Sequence, residues 1–276
     1  MNDNVCVENV SIFEGFARHY QQDMTKGNVI MTVALSLGSL ALGACGSNLP
    51  QENNAVLYHA SFRSALQAGV YEGVLSVDRL RAHGDFGLGA TDSNDGELVA
   101  YGGKFFRSRP DGTMSELGPA DTTPYAIMTH FRPQRSFRIK GPIGHQELEK
   151  TLDAQLDPGH RIYAIRIRGR FESVEAGNGD KQEKPHRLLE EVLSEYKYRD
   201  LSGDGTLVGF RCPAYMQRFD RVGYHFHYLS DRHDAGGHVR AYRISDVEIA
   251  IQELSGFTVE QPSHGEFYER DIETPR

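Results

Sequence analysis

Three histidines in the C-terminal third of the chain have the residue type and spacing for metal chemistry. They are His225 and His227, in the run Gly223-Tyr224-His225-Phe226-His227-Tyr228-Leu229-Ser230, and His238, in the Gly236-Gly237-His238 that follows. The run is aromatic and alternating, the signature of a β-strand, and on a strand residues two apart project from the same face. His225 and His227 therefore point together, and Tyr224, Phe226 and Tyr228 point away. Ser230 to Gly237 has the polar, glycine-rich composition of a hairpin loop, and Val239 to Ile244 reads as the return strand. A loop centred near Arg232 and His233 sets His238 directly across from His227, and cross-strand neighbours on one face lie about 5 Å apart. Three imidazole nitrogens can then reach one ion. Such a set suits Zn²⁺ best, with nickel, iron or manganese as alternatives, and it leaves coordination positions open for a substrate. His233, in the loop, is expected to face solvent.

The elements that must position this site come earlier in the chain. Ser61 to Ala68 can form a short helix on Phe62, Ala65 and Leu66, and Gly69 to Gly73 breaks it into a strand or turn. His83-Gly84-Asp85-Phe86-Gly87-Leu88-Gly89-Ala90 places three glycines close together, which implies close backbone approach or a bulge. It is not a phosphate loop, because the Gly-x-x-x-x-Gly-Lys pattern is absent. Asp95 to Phe106 reads as a hairpin in which Glu97, Val99 and Tyr101 share a face, so a carboxylate stands among apolar neighbours. Such a carboxylate serves either a structural hydrogen bond or acid/base chemistry. His145 to Leu156 is the clearest helix, with Leu148, Leu152 and Leu156 at four-residue steps. Arg161 to Val174 alternates as a long strand, His186 to Tyr196 makes a second helix with Leu189, Val192, Leu193 and Tyr196 on its apolar face, and Gly205 to Phe210 starts the strand leading to the histidine hairpin. Strands outnumber helices in an α+β arrangement, with a domain boundary near the first long helix.

Composition limits the partners. The chain has 276 residues, 39% hydrophobic and 25% charged, as in an ordinary soluble domain or two, and no clustered Lys and Arg. Its net charge of −8 argues against nucleic acid as a partner. Val29 to Ala44 is an apolar run of signal-peptide length, ending in Leu42-Gly43-Ala44-Cys45, which resembles a bacterial lipobox. Export with a lipid anchor at Cys45 is expected, followed by a polar tether to Asn54; a start at Met24 would shorten the leader, and the alternative is a cytoplasmic enzyme with an unstructured arm. Cys6 precedes the cleavage site and Cys212 reads as a small buried hydrophobe, so the mature chain keeps no pair for a disulfide.

Taken in order, the motifs add up. Gly69-Val70-Tyr71-Glu72-Gly73, His83 to Gly89, Asp95-Gly96-Glu97-Leu98, Thr123-Pro124-Tyr125-Ala126, Tyr163 to Ile167, Gln182-Glu183-Lys184-Pro185, Gly205 to Phe210 and the histidine hairpin resemble the α-acetolactate decarboxylase family from about Tyr58 to Tyr242. Asp271-Ile272-Glu273 resembles its C-terminal tail. The resemblance implies an α+β fold with an N-terminal mixed β-sheet domain and a C-terminal small β-barrel-like domain carrying the metal. On this chain that division is 1–54 leader and tether, 55–143 mixed sheet, and 144–276 metal-binding domain. It implies zinc on His225, His227 and His238, active-site glutamates at Glu97 and Glu273, and a homodimer. The implied reaction is conversion of 2-acetolactate to acetoin. The ketone and hydroxyl of the substrate can chelate zinc, loss of CO₂ leaves an enediolate, and Glu97, Glu273 or a water at the metal returns the proton.

Two positions depart from the family. Its catalytic arginine falls on Gly177, in Ala176-Gly177-Asn178-Gly179, and a family threonine falls on Ala90, with Thr91 adjacent. A guanidinium is a fixed cationic fork that binds carboxylates bidentately. Arg166, Arg218 or Arg221 can replace it, of which Arg221, near the histidine strand, is preferred. Without a replacement, the chain is a diverged metal enzyme on another 2-hydroxy-3-oxo acid, or an inactive binding relative. An iron oxygenase of cupin type is disfavoured, because the glutamate expected just after His-x-His is missing.

Overall fold

The computed structural model describes residues 55–273, so the leader, the Met24 start, Cys6 and the Cys45 anchor site lie outside the described residues. The chain runs β1 (Val56–Ala60), α1 (Arg63–Gln67), β2 (Leu75–Ser76), α2 (Val77–Arg81), β3 (Phe86–Ala90), β4 (Glu97–Tyr101), β5 (Lys104–Ser108), β6 (Met114–Glu116) and β7 (Thr122–Thr123). It continues through β8 (Tyr125–Thr129), β9 (Arg135–Gly144), α3 (His145–Asp153), β10 (Ile162–Asn178), α4 (Leu189–Ser194), β11 (Lys197–Cys212), β12 (Gly223–Ser230), β13 (Gly236–Leu254) and β14 (Gly256–Glu260). Strands dominate and helices are few and short, an α+β composition.

A seven-stranded sheet has the order β14-β1-β8-β3-β4-β5-β6, with β1 and β14 parallel and its other pairs antiparallel. A five-stranded antiparallel sheet has the order β10-β11-β12-β13-β9, and β13 also pairs back onto β10, so four of its strands close into a small barrel. β9 already belongs to this second sheet, and β14 returns to the first.

Alternation along β10 explains how the sheets stack. Tyr163, Ile165 and Ile167 enter one core cluster with Leu207, Phe226, Ile249 and the α3 leucines Leu148 and Leu152. Ile162 and Ala164, pointing the other way, enter a second cluster with Val208 and Phe210, and this cluster also holds Leu57, Leu88, Val99 and Ile127 of the first sheet. The second cluster is the layer between sheets, and it fixes β4 against β12. The glycines of β3 permit a close approach within the first sheet, since a Cβ on Gly89 would sit 2.3 Å from the Tyr125 carbonyl oxygen of the neighbouring β8. Phe210 is fully buried in the shared layer, so Phe210→Ala should cost about 3–5 kcal/mol of folding free energy, read from urea unfolding midpoints.

Some local expectations differ. The return strand runs over Gly236–Leu254, far beyond Ile244, because it serves both β12 and β10. The second helix covers only Leu189–Ser194. His186, expected to open it, is instead buried with Nδ1 at 2.8 Å from the Glu266 carboxylate, a long-range contact that local propensity does not encode. Leu193, expected in its apolar face, is 39% exposed. Helix α3 stops at Asp153, and Leu156 packs onto the core from beyond its end.

Candidate metal centre

The hairpin register is the one that alternation predicts: His227 pairs directly with His238. Centroids of the His225, His227 and His238 rings lie 5.1–5.3 Å apart, and one nitrogen from each falls within 4.8 Å of the others. His233 is exposed in the turn with φ 56°, away from the cluster.

Neighbouring groups orient each imidazole. His227 Nδ1 lies 2.8 Å from the Leu98 carbonyl, which makes Nδ1 the donor and leaves Nε2 facing His238 Nδ1 at 3.3 Å. Arg221 Nη1 donates to His238 Nε2 at 2.9 Å. Behind His225 stands Asp220, wholly buried, with Oδ1 at 3.6 Å from His225 Nδ1. Burial pushes the pKa of all three imidazoles down, and for His227 and His238 the neighbouring imidazoles push it further. Neutral imidazoles with nitrogens converging on one point are the donor set a divalent cation requires, so the residues fit such an ion.

Asp220 had no signal in the sequence, since it lies in the loop before β12 and outside any recognisable spacing. Burial alone would raise its carboxyl, but His225, His59 and the Arg221 amide together hold it below its ordinary value. Tyr125 also donates to it, at 3.2 Å. A carboxylate behind a ligating histidine fixes the ring and strengthens it as a ligand. Asp220→Asn should weaken divalent-metal affinity by about 10–100-fold in a competition titration against a chromophoric chelator.

Glu97, first residue of β4, is brought to the same place by the packing of β4 against β12. Its Oε2 is 3.5 Å from His227 Nε2, and Oε1 accepts a 2.8 Å hydrogen bond from the Tyr196 hydroxyl. Burial drives this carboxyl up to about 8, against a smaller lowering by Tyr196. Tyr196 was expected on the apolar face of a helix; the early end of α4 turns it into the site instead.

Glu273 is not gathered into this cluster. It is exposed, its backbone carbonyl accepts from Arg218 Nη2 at 2.9 Å, and it borders a neighbouring cavity. Of the arginines considered at Gly177, Arg166 pairs with Glu248 beside Phe131, Arg218 holds Glu273, and only Arg221 reaches the histidines. Gly177 lies on β10 opposite His238, and a Cβ there would meet the Tyr198 ring at 2.6 Å. Tyr198 thus fills the space a larger side chain would need, and the Arg240 guanidinium stacks over it at 4.1 Å from its centroid. Thr91 does not stand in at Ala90, because its hydroxyl donates to the carbonyls of Asp95 and Gly96.

These groups surround a cavity of about 440 Å³, lined by Glu97, the three histidines and Tyr196 and also by Arg63, Arg221 and Arg240. The size suits a small organic acid.

Comparison with known proteins places this geometry. The profile of the alpha-acetolactate decarboxylase family matches residues 57–274. An alpha-acetolactate decarboxylase from Methanosarcina mazei is 37% identical over 225 residues, covering 80% of this chain and 77% of that protein. One from Bacillus subtilis is 31% identical over 220 residues, covering 79% of this chain and 86% of its own length. A crystal structure of alpha-acetolactate decarboxylase from Bacillus subtilis strain 168 superposes with a TM-score of 0.77 at 30% identity, over 80% of this chain and 95% of that one.

Proposed function

This chain belongs to the alpha-acetolactate decarboxylase family of carboxy-lyases, and we propose that it converts 2-acetolactate to acetoin at the three-histidine centre, with zinc as its ion. The observation that carries the reading is the convergence of His225, His227 and His238 beside the buried carboxyl of Glu97. When bound there, a divalent cation supplies Lewis-acid stabilisation for negative charge on the substrate's ketone oxygen. His225, His227 and His238 would hold it; the Leu98 carbonyl fixes the His227 ring, and the Asp220 carboxylate faces His225 Nδ1 at 3.6 Å.

The reaction breaks the bond between the carboxylate carbon and the adjacent hydroxyl-bearing carbon. The electron pair moves toward the ketone, CO₂ leaves, and one proton must reach the carbon that lost it. Glu97 is the group placed to handle that proton, because its buried carboxyl retains one near neutral pH and Tyr196 fixes its orientation. Glu273, at the neighbouring cavity, is left out of this step. Gly89 and Ala90 of β3 and Leu189 of α4 give the cavity an apolar wall beside these groups. Leu42-Gly43-Ala44-Cys45 supports export as a lipid-anchored protein, and the family resemblance supports a homodimer.

Purified protein with its zinc content measured, incubated with 2-acetolactate and assayed colorimetrically for acetoin, tests the proposal. Acetoin should form well above the spontaneous rate; zinc-loaded protein that gives only the background rate would overturn it.

A further inference from the structure

The histidine cavity shares a wall with a second cavity of about 280 Å³, and Arg63 and Arg221 line both. Arg63 is the first residue of α1, and Arg221 lies in the loop ahead of β12. The backbone draws these elements together: Arg63 N donates to the Phe219 carbonyl at 3.2 Å and Ser64 N to the Arg218 carbonyl at 3.1 Å. The position of Arg63 beside the pocket is therefore built into the fold.

Three guanidiniums reach the histidine cavity, and two of them already have partners. Arg240 pairs with Glu175 and stacks over Tyr198, and Arg221 donates to His238. Arg63 is half-buried, and its guanidinium makes no hydrogen bond or ion pair with any described residue. A partly desolvated guanidinium without an acceptor carries a free-energy cost that an incoming anion removes. Its planar fork matches a carboxylate in particular.

We infer that Arg63, with Arg221 beside it, grips the carboxylate of the substrate and thereby selects 2-hydroxy-3-oxo acids over their uncharged counterparts. This rests on the decarboxylase reading above. The hold belongs to the ground state: as the carbon–carbon bond breaks, the electron pair stays with the substrate and CO₂ departs uncharged, so the contact weakens as the reaction proceeds. Arg63 thus governs binding and orientation more than the chemical step.

The test uses zinc-loaded full-length protein. Arg63→Ala should raise KM for 2-acetolactate about 10–100-fold, the range of a lost charge-assisted hydrogen-bond pair, and leave kcat within about threefold. Arg63→Lys, which keeps the charge and loses the fork, should recover part of that loss. In parallel, calorimetric titration with 2,3-dihydroxy-2-methylbutanoate, which cannot lose CO₂ by this route, and with its amide should show a carboxylate preference in the wild type that Arg63→Ala abolishes. An unchanged thermal midpoint in both variants separates lost binding from lost folding. The inference is overturned if Arg63→Ala keeps both the wild-type KM and the carboxylate preference. If the wild type forms no acetoin, the decarboxylase reading fails instead, and the titration alone decides whether Arg63 binds a carboxylate.

Discussion

His227→Ala should lose tight divalent-metal binding and, with it, acetoin formation above background. His227 is 1% exposed, and among the described residues the metal-competent cluster holds only His225 and His238 besides it. Removing a group that merely supports a ligand costs about 10–100-fold in affinity, so removing the ligand should cost more than that. On the proposed reaction, the rate should fall at least about 10³-fold, equivalent to ~4 kcal/mol of transition-state stabilisation. The substitution also leaves the Leu98 carbonyl without its donor, which should lower folding stability by about 1–3 kcal/mol. Metal analysis after dialysis, acetoin assay and urea unfolding read these effects separately. His233→Ala, in the exposed turn, should change neither metal content nor rate. Equal metal retention in both variants would show that the three rings do not share an ion.

Glu97→Gln should be the second severe change. The amide fits the same space and still accepts from Tyr196, so the fold and the metal content should persist while the group that moves the proton is gone. A positioned general acid contributes about 10²–10⁴-fold, and a kcat loss in that range with KM little altered is the expected result. Tyr196→Phe should have a smaller effect in the same direction.

Glu97 also gives a stability signature in chelator-treated protein. Its carboxyl is raised in the folded state, so its favourable contribution is complete below the ordinary carboxyl range and is lost as pH rises through about 8. The metal-free wild type should therefore lose stability across that window. Glu97→Gln should flatten the profile, as measured by urea midpoints at stepped pH.

Much of the site was legible because β-structure has a short, rigid period. Alternation sends His225 and His227 to one face whatever the rest of the chain does, and the length of the turn sets His238 opposite His227. The same reasoning found the β4–β5 hairpin and the alternating faces of β10. It placed the carboxyl of Glu97 among apolar neighbours but could not choose between a structural and a chemical role.

That choice depended on which elements pack together. Leu98, the neighbour of Glu97, lies 129 positions from His227 in sequence, yet its carbonyl fixes that ring, and nothing local encodes the meeting. Tyr196 turns inward because α4 ends early, and Asp220 lies behind His225 because its loop is held by Tyr125 and by the α1 backbone. Likewise Gly177 reads in sequence as a missing arginine, whereas in three dimensions its space belongs to Tyr198 and the cations stand on other elements. Residue type and strand periodicity thus determined that three imidazoles would converge. Only tertiary packing decided which carboxyl and which arginine would face them, because those contacts join segments whose relative position is set by the shared core and not by local backbone geometry.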